Sequence, residues 1–372
     1  MAERKGLEMI YKPYGRTGIE VSALAFGGMR FIDQDDVDSC AQLVKSAYDA
    51  GINYFDTAPG YGKSEDLFGV AFKEMKRTRS ERPFYVSTKT SRSKPDDIRR
   101  DLELSLQRMN IDAIDFYHMW CIIKRDAYER RKAAGALEEF GRLQEEGLIR
   151  HVCISTHMTG PEIGDLLADY PFAGVLLGYS AMNFAYREAG IEAAARQGCG
   201  VMVMNPLGGG LIPTHPERFA FVRTRPEEST VAGALRFIWS DPRITAALVG
   251  FSSPAQLAEA LQAMDNHTPL TEAELQQIRS HMSDAFNELC TGCRYCDVCP
   301  VDIPVVKYME AYNHLMLSGS EKEMLTRLRF HWGINRENSD LDRCIECGAC
   351  EEACTQKLPI LARFADIQRI MK

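Results

Sequence analysis

Nowhere in the 372-residue chain do about 18 uncharged apolar residues run together, so no membrane-spanning helix is expected and no membrane is expected as a partner. A long Lys/Arg run is also missing. The formal net charge is −8 and the sequence pI about 5.6, a balance unsuited to a phosphate backbone, so nucleic acid is not an expected partner either. The opening residues, MAERKGLEMIYKPYGRTG, hold no apolar core of the kind a signal peptide needs, and a cytoplasmic location is expected. Internal repeats and low-complexity linkers are absent. No candidate strand runs into a G-x-G-x-x-G loop, which removes the usual dinucleotide fingerprint.

An apolar share of 45% and a charged share of 26% are those of an ordinary globular chain whose length suggests two domains. From Val21 to about Ala263, short apolar runs alternate with longer stretches of helical period. The strand candidates are VSALAFG (21–27), NYFDTA (53–58), PFYVSTKT (83–90), AIDFYHMW (113–120), HVCIST (151–156), GVLLGYS (174–180), GVMVMNP (200–206) and ITAALVGF (244–251). Between them lie amphipathic segments such as DDIRRDLELSLQRMN (96–110), where Ile98, Leu102, Leu106 and Met109 recur at helical spacing. Eight strands, each followed by a helix, are what a closed (β/α)8 TIM barrel requires, and an open doubly wound sheet is the alternative.

Twelve cysteines could mean disulfides in a secreted chain, but eight are crowded into residues 290–354, which points to metal binding in a reducing compartment. The other four, Cys40, Cys121, Cys153 and Cys199, are scattered in apolar segments and read as small buried hydrophobes. One run is Cys290-x2-Cys293-x2-Cys296-x2-Cys299 and the other Cys344-x2-Cys347-x2-Cys350-x3-Cys354. Three thiolates spaced by two residues wrap one face of an iron–sulfur cube, and a remote fourth completes the set. In two-cluster ferredoxins the last Cys of each run ligates the other cluster, which pairs Cys290, Cys293 and Cys296 with Cys354, and Cys344, Cys347 and Cys350 with Cys299. Two features depart from that pattern: the Cys296 to Cys299 spacing is one residue short, and Thr355 stands where Pro usually follows. Two 4Fe-4S clusters are expected, with one cluster as the fallback and a four-thiolate zinc site as the rival. The segment TEAELQQIRSHMSDAFNEL (271–289) reads as a helix capped by Thr271 with Glu274 three residues on. It marks the expected boundary between an α/β barrel over residues 1–270 and a small, mainly helical iron–sulfur domain over 271–372.

In barrels of this kind chemistry sits where strands end, and there stand Asp56, Tyr61, Lys89 and His118. Taken singly, Lys89 reads equally as a surface charge and Asp56 as a turn cap. The segments GINYFDTAPGYGKSE (51–65), VSTKT (86–90), IDFYHMW, MNPLGGG (204–210) and VGFSS (249–253) resemble the aldo-keto reductase superfamily over roughly residues 14–265. With the C-terminal Cys module attached, the whole chain looks like the iron–sulfur branch of that superfamily. The resemblance implies a barrel that binds NADP or NAD and interconverts a small-molecule carbonyl and alcohol. The residues suit that chemistry. A phenol near pKa 10 is too weak an acid at neutral pH unless a neighbouring ammonium favours its ionised form, and Lys89, oriented by Asp56, supplies that charge to Tyr61.

The family's strand reads Asp-x-Tyr-x-x-His, which would put the His at Trp120, whereas here His118 stands two residues earlier. On a strand that is the same face about 6.5 to 7 Å back. Either His118 polarises the carbonyl, or Trp120 lines the pocket and His118 is a core residue. For the cofactor the resemblance implies Tyr179 stacked on the nicotinamide and Ser155 on its carboxamide. The Pro206-Leu207-Gly208-Gly209-Gly210 loop reads as a close backbone approach to a pyrophosphate or as a plain turn, Gly250 and Ser252 precede a helix whose N–H groups could hold a phosphate, and Gly28 and Gln256 are further cofactor candidates. Thr156 and Leu176 replace the family's Asn and Gln, and no Lys or Arg lies between Arg243 and Arg279, which leaves NAD and NADP both open. A redox partner protein is allowed for. The competing function is a nucleotide-binding electron-transfer or redox-sensing protein with little turnover, in which the clusters report redox state.

Overall fold

The computed structural model describes residues 8–182, 187–281 and 288–372. The chain divides into two compact units, Met1–Leu207 with Phe221–Ile278, and Gly208–Ala220 with Arg279–Lys372.

In the first unit, β1 (Tyr11–Pro13) and β2 (Glu20–Ser22) form an antiparallel hairpin. Eight further strands close into an all-parallel barrel: β3 (Leu24–Gly27), β4 (Tyr54–Asp56), β5 (Tyr85–Thr90), β6 (Ile114–Ile122), β7 (Ile149–Thr156), β8 (Gly174–Gly178), β9 (Gly200–Met204) and β10 (Ala246–Gly250). Strand β10 pairs back onto β3, so this is the (β/α)8 fold and not an open sheet. Each barrel strand coincides with one expected from the sequence. The first differs in that 21–27 is divided between two sheets. At the break, Ser22 N donates to Asn53 Oδ1 at 2.7 Å and Ser22 Oγ to Leu24 O at 2.7 Å, which satisfies backbone groups where strand pairing changes partner.

Helices separate the strands. The helix Pro95–Met109 starts with Pro at its first turn, where no N–H is needed, ends on Asn110 at φ 52°, and buries Ile98, Leu102 and Met109. Thr271 and Glu274 cap each other at the start of the helix Glu272–His281, as their spacing predicts; residues 282–287 of that expected helix lie outside the described residues. No helix among the described residues is long and apolar enough to cross a membrane.

Strand alternation sends every second side chain into the barrel. Tyr14, Tyr54, Phe116, Cys153, Leu176, Met202 and Leu248 pack there. Tyr14 lies on Phe116 with ring centroids 3.9 Å apart, and a Cβ on Gly174 or Gly200, the first residues of β8 and β9, would overlap its ring. That aromatic plug fills the end where the strands begin, so chemistry is left to the end where they finish. Continuing along the same inward faces, Tyr54 is followed by Asp56, Tyr85 by Ser87 and Lys89, and Phe116 by His118 and Trp120.

The outward face has its own polar anchor. Glu65, on the helix Ser64–Met75, is fully buried and accepts from Thr88 Oγ1 at 2.8 Å, Ser105 Oγ at 2.7 Å and Arg108 Nη1 at 3.1 Å, joining two helices to β5. The second unit packs its own core from Val305, Tyr308, Met309, Leu328, Leu341, Ile360, Phe364 and Ile367 around Cys290, Cys296, Cys350 and Cys354. Replacing Glu65 with Ala strands its three donors, and urea unfolding is expected to reveal a loss of about 3–5 kcal/mol; an unchanged midpoint would refute the anchoring role.

Candidate active site

Lys89 and Asp56 form an ion pair of 2.6 Å with side chains 0% and 3% exposed. The ammonium also donates to Thr57 O at 2.6 Å, and Ser87 Oγ donates to the other Asp56 oxygen at 2.7 Å. Burial pushes the Asp56 carboxyl up and the Lys89 ammonium down, and each partner's opposite charge counters that loss. The Tyr61 ring centroid is 5.3 Å from Lys89 Nζ, close enough for the ammonium to act on the phenol.

His118 is the cross-strand register partner of Lys89. It is fully buried, and neither ring nitrogen has a hydrogen-bond partner among the described residues. Burial, aided by the Lys89 charge, brings its pKa down to about 3, so the imidazole is neutral at physiological pH; the Ile154 backbone acts weakly the other way. Leaving a buried donor and acceptor unmet costs about 1–3 kcal/mol, which a bound oxygen would relieve. Trp120, on the same face and nearer the strand end, meets Tyr61 edge-on at 5.7 Å, and a Cβ on Gly60 would overlap its indole. The structure thus brings Asp56, Lys89, Tyr61 and His118 together, and adds Trp120 as a wall over Tyr61.

The residues named for the cofactor are less uniformly disposed. Ser155 is buried at the end of β7. Tyr179 is buried and stacks on Phe237 at 5.7 Å. Thr156 is tied into backbone, donating to Ile122 O at 2.8 Å and accepting from Met158 N. Ser252 donates its Oγ to Arg30 O at 2.7 Å and its N–H to Gln256 Oε1 at 2.8 Å, at the start of the helix Pro254–Asp265. The Arg30 side chain lies against Gly250. The sequence between Arg243 and Arg279 carries no Lys or Arg, and Arg30 comes beside Gly250 because it follows β3, which only barrel closure sets next to β10. A Cβ on Gly28 would overlap Ser64 and Phe68, so that glycine admits a neighbouring helix. Pro206 and Leu207 end the first stretch of the barrel unit, whereas Gly208 begins the stretch that groups with the C-terminal unit. There a Cβ on Gly209 would overlap the Thr291 backbone.

In the C-terminal unit, Cys290, Cys293, Cys296 and Cys354 are close enough to act electrostatically on one another. Burial pushes the Cys290 thiol up to about 12, and Cys296 and Cys354 upward too, so these three favour the thiolate form only beside cations. Amide donors already aim at this sulfur set: Gly292 N at 3.4 Å from Cys290 Sγ and Leu358 N at 3.4 Å from Cys354 Sγ. Thr355, in place of the usual Pro, sets its Oγ1 3.3 Å from Cys293 Sγ. Cys350 is buried near Cys344, Cys347 is exposed, and Cys299 and Cys344 are partly exposed. Soft sulfur donors with N–H groups aimed at them fit an iron–sulfur cluster.

A (β/α)8 barrel with a buried lysine–carboxylate pair beside a tyrosine, followed by a thiol-rich helical unit, defines a two-part oxidoreductase class. The family model for the aldo/keto reductase family matches residues 23–283, and the chain belongs to that family. A second family model, the 4Fe-4S dicluster domain, matches residues 289–358. Among curated relatives, L-galactose dehydrogenase of Arabidopsis thaliana is 27% identical, with 67% of this chain and 86% of that protein covered. L-glyceraldehyde 3-phosphate reductase of Escherichia coli O157:H7 is 25% identical, with 76% and 94% covered. Of solved structures, aldo-keto reductase AKR11C1 from Bacillus halodurans superposes with a TM-score of 0.61 at 23% identity, covering 74% of this chain and 97% of that one, a likeness of fold.

The neutral buried imidazole makes the barrel acid-sensitive. Between the unfolded value of 6.5 and about 3 the unfolded chain binds a proton that folded His118 refuses, so stability is full above 6.5 and falls as pH drops through that window. At pH 5 the loss through His118 is on the order of 2 kcal/mol. Urea midpoints at pH 7 and pH 5 are expected to differ less in His118→Gln than in wild type, and equal differences would show that this histidine does not titrate as described.

Proposed function

We propose that the barrel interconverts a carbonyl and an alcohol on a small molecule, using NADP or NAD. The observation that carries the reading is the buried Asp56–Lys89 pair with Tyr61 against the ammonium and unpartnered His118 beside it. A nicotinamide held by these residues would supply hydride for reduction of the carbonyl, or accept it from the alcohol in the reverse direction. Tyr61 gives its phenol proton to the carbonyl oxygen, and Lys89, held in place by Asp56, stabilises the phenolate left behind. His118 donates from its neutral ring to the same oxygen, and Trp120 shields Tyr61 from water. Ser155 and Tyr179 hold the nicotinamide end, Gly28 and Gln256 are further cofactor contacts, and Pro206, Leu207, Gly250 and Ser252 mark the phosphate end. Arg30 adds a cation there. Ser252 exchanges its internal hydrogen bonds for the ligand.

Two 4Fe-4S clusters are assigned to the segment beyond residue 271, one on Cys290, Cys293, Cys296 and Cys354, the other on Cys344, Cys347, Cys350 and Cys299. The mutual influence of the first four thiols supports the crossed pairing. Hydride carries two electrons and each cluster passes one, so direct exchange needs a splitting cofactor such as flavin, for which the chain has no signature. The clusters therefore serve structure, or electron transfer to a redox partner protein, in a cytoplasmic enzyme.

With protein purified without oxygen and a panel of aldehydes, ketones and sugars, Tyr61→Phe is expected to lower kcat by about 10²–10⁴-fold with KM little changed. No turnover by wild type, or equal turnover by the variant, would sink the reductase reading and favour the redox-sensing one. Metal analysis is expected to give about eight iron and eight labile sulfides per chain. Half that content would mean a single cluster, and zinc without sulfide would end the iron–sulfur assignment.

A further inference from the structure

The C-terminal unit buries one charged side chain that the barrel chemistry does not use. Arg363, on the helix Ile360–Met371, has only 4% of its side chain exposed and is the one Lys or Arg buried in this unit among the described residues. Part of its guanidinium is accounted for. Nη2 donates to Glu288 O at 2.8 Å, and the guanidinium carbon stands 4.9 Å from the centre of the Tyr312 ring. Nη1 is buried with no hydrogen-bond partner among the described residues. Among the described residues the only carboxylate within ion-pair range of the guanidinium is Glu288, 3.6 Å from Nη2 rather than Nη1, on a side chain 60% exposed where water screens it. A buried cation with an unmet donor is expensive unless something negative completes it.

The chain brings sulfur to this place. Cys290 lies two residues beyond Glu288, and its peptide is clamped by buried Asn313, which accepts from Cys290 N and donates to Cys290 O, both at 2.8 Å. Cys290 and Cys354 both act electrostatically on Arg363. Cys354 packs in the same core as Ile360, Phe364 and Ile367 of the arginine's own helix. Among the described residues no buried Lys or Arg attends the other four thiols, of which Cys350 is buried, Cys347 is exposed and Cys299 and Cys344 are partly exposed.

We propose that Arg363 is the internal counter-charge of the cluster bound by Cys290, Cys293, Cys296 and Cys354, and that it holds that cluster's reduction potential above the value its burial alone would set. The proposal rests on the iron–sulfur assignment made above. Four thiolates bring more negative charge than the iron core offsets, and reduction adds one electron with no bond formed or broken and no proton moved. Burial in a low dielectric disfavours that added charge, and a fixed cation within the same core favours it. An arginine suits the task because it stays protonated at any working pH. Potential here is a matter of charge, so a lysine serves and a neutral amide does not.

The test is an EPR-monitored redox titration, with dithionite as reductant, of the full holoprotein purified without oxygen. Iron and sulfide content of the wild type is read first, and absence of both fails the iron–sulfur assignment before any variant is compared. With clusters present, Arg363→Gln is expected to lower the midpoint of one cluster and leave the other in place, while Arg363→Lys keeps both near wild type. Midpoints unchanged in Arg363→Gln, or shifted together, overturn the proposal. Should Arg363→Gln fail to assemble the cluster, Arg363→Lys decides alone: two clusters at wild-type potentials support the counter-charge role, and a lost cluster or a lowered midpoint overturns it.

Discussion

The buried ion pair between Asp56 and Lys89 governs how the barrel site is built. A lysine wholly removed from water keeps its charge only if the protein replaces the lost hydration, and here a carboxylate, a backbone carbonyl and a serine behind the carboxylate do so. Because β4 and β5 are neighbours in register, with Asp56 opposite Ser87, the partners are delivered by strand pairing and not by loops. The same register logic puts His118 opposite Lys89, where a second positive charge is unwelcome, and that helps keep its imidazole neutral. One cation thus orders its neighbours: an anion beneath it, a phenol beside it and an uncharged donor across from it.

Charge compensation shapes the C-terminal unit too, with the signs reversed. Its core gathers thiols whose ionised form is disfavoured by burial, and it places amide N–H groups and one buried guanidinium among them. In the other set only Cys350 is buried, and water reaches Cys347 and, in part, Cys299 and Cys344. The two runs, nearly interchangeable as spacings, therefore occupy different electrostatic surroundings.

The barrel was readable because its signals are local. Apolar runs at strand length separated by helical periods predict eight β/α units, and period-two alternation predicts that His118 and Trp120 share a face. Which of the two would stand nearer the strand end was likewise a matter of counting. The divided first strand was not legible, because its break depends on Asn53, thirty-one residues away, capping Ser22. Nor was the place of Gly28, read as a cofactor contact, or of Gly209, read as part of a turn or a pyrophosphate approach; the structure shows each admitting a distant chain segment, around Ser64 and Phe68 in one case and Thr291 in the other.

The residue types, their spacing and their order along the chain were enough to expect a (β/α)8 barrel, to single out Asp56, Tyr61 and Lys89 at its strand ends through a family resemblance, and to expect a thiol module after it, since these signals are written in short-range pattern. What only the tertiary structure decided was environment: that Lys89 and His118 are fully buried, that Arg30 comes round beside Gly250, and that Arg363 is enclosed with Cys290 and Cys354. Burial and long-range neighbours arise from barrel closure and helix packing, which join residues far apart in sequence, and a charged or polar side chain carries no mark in the sequence of whether water will reach it.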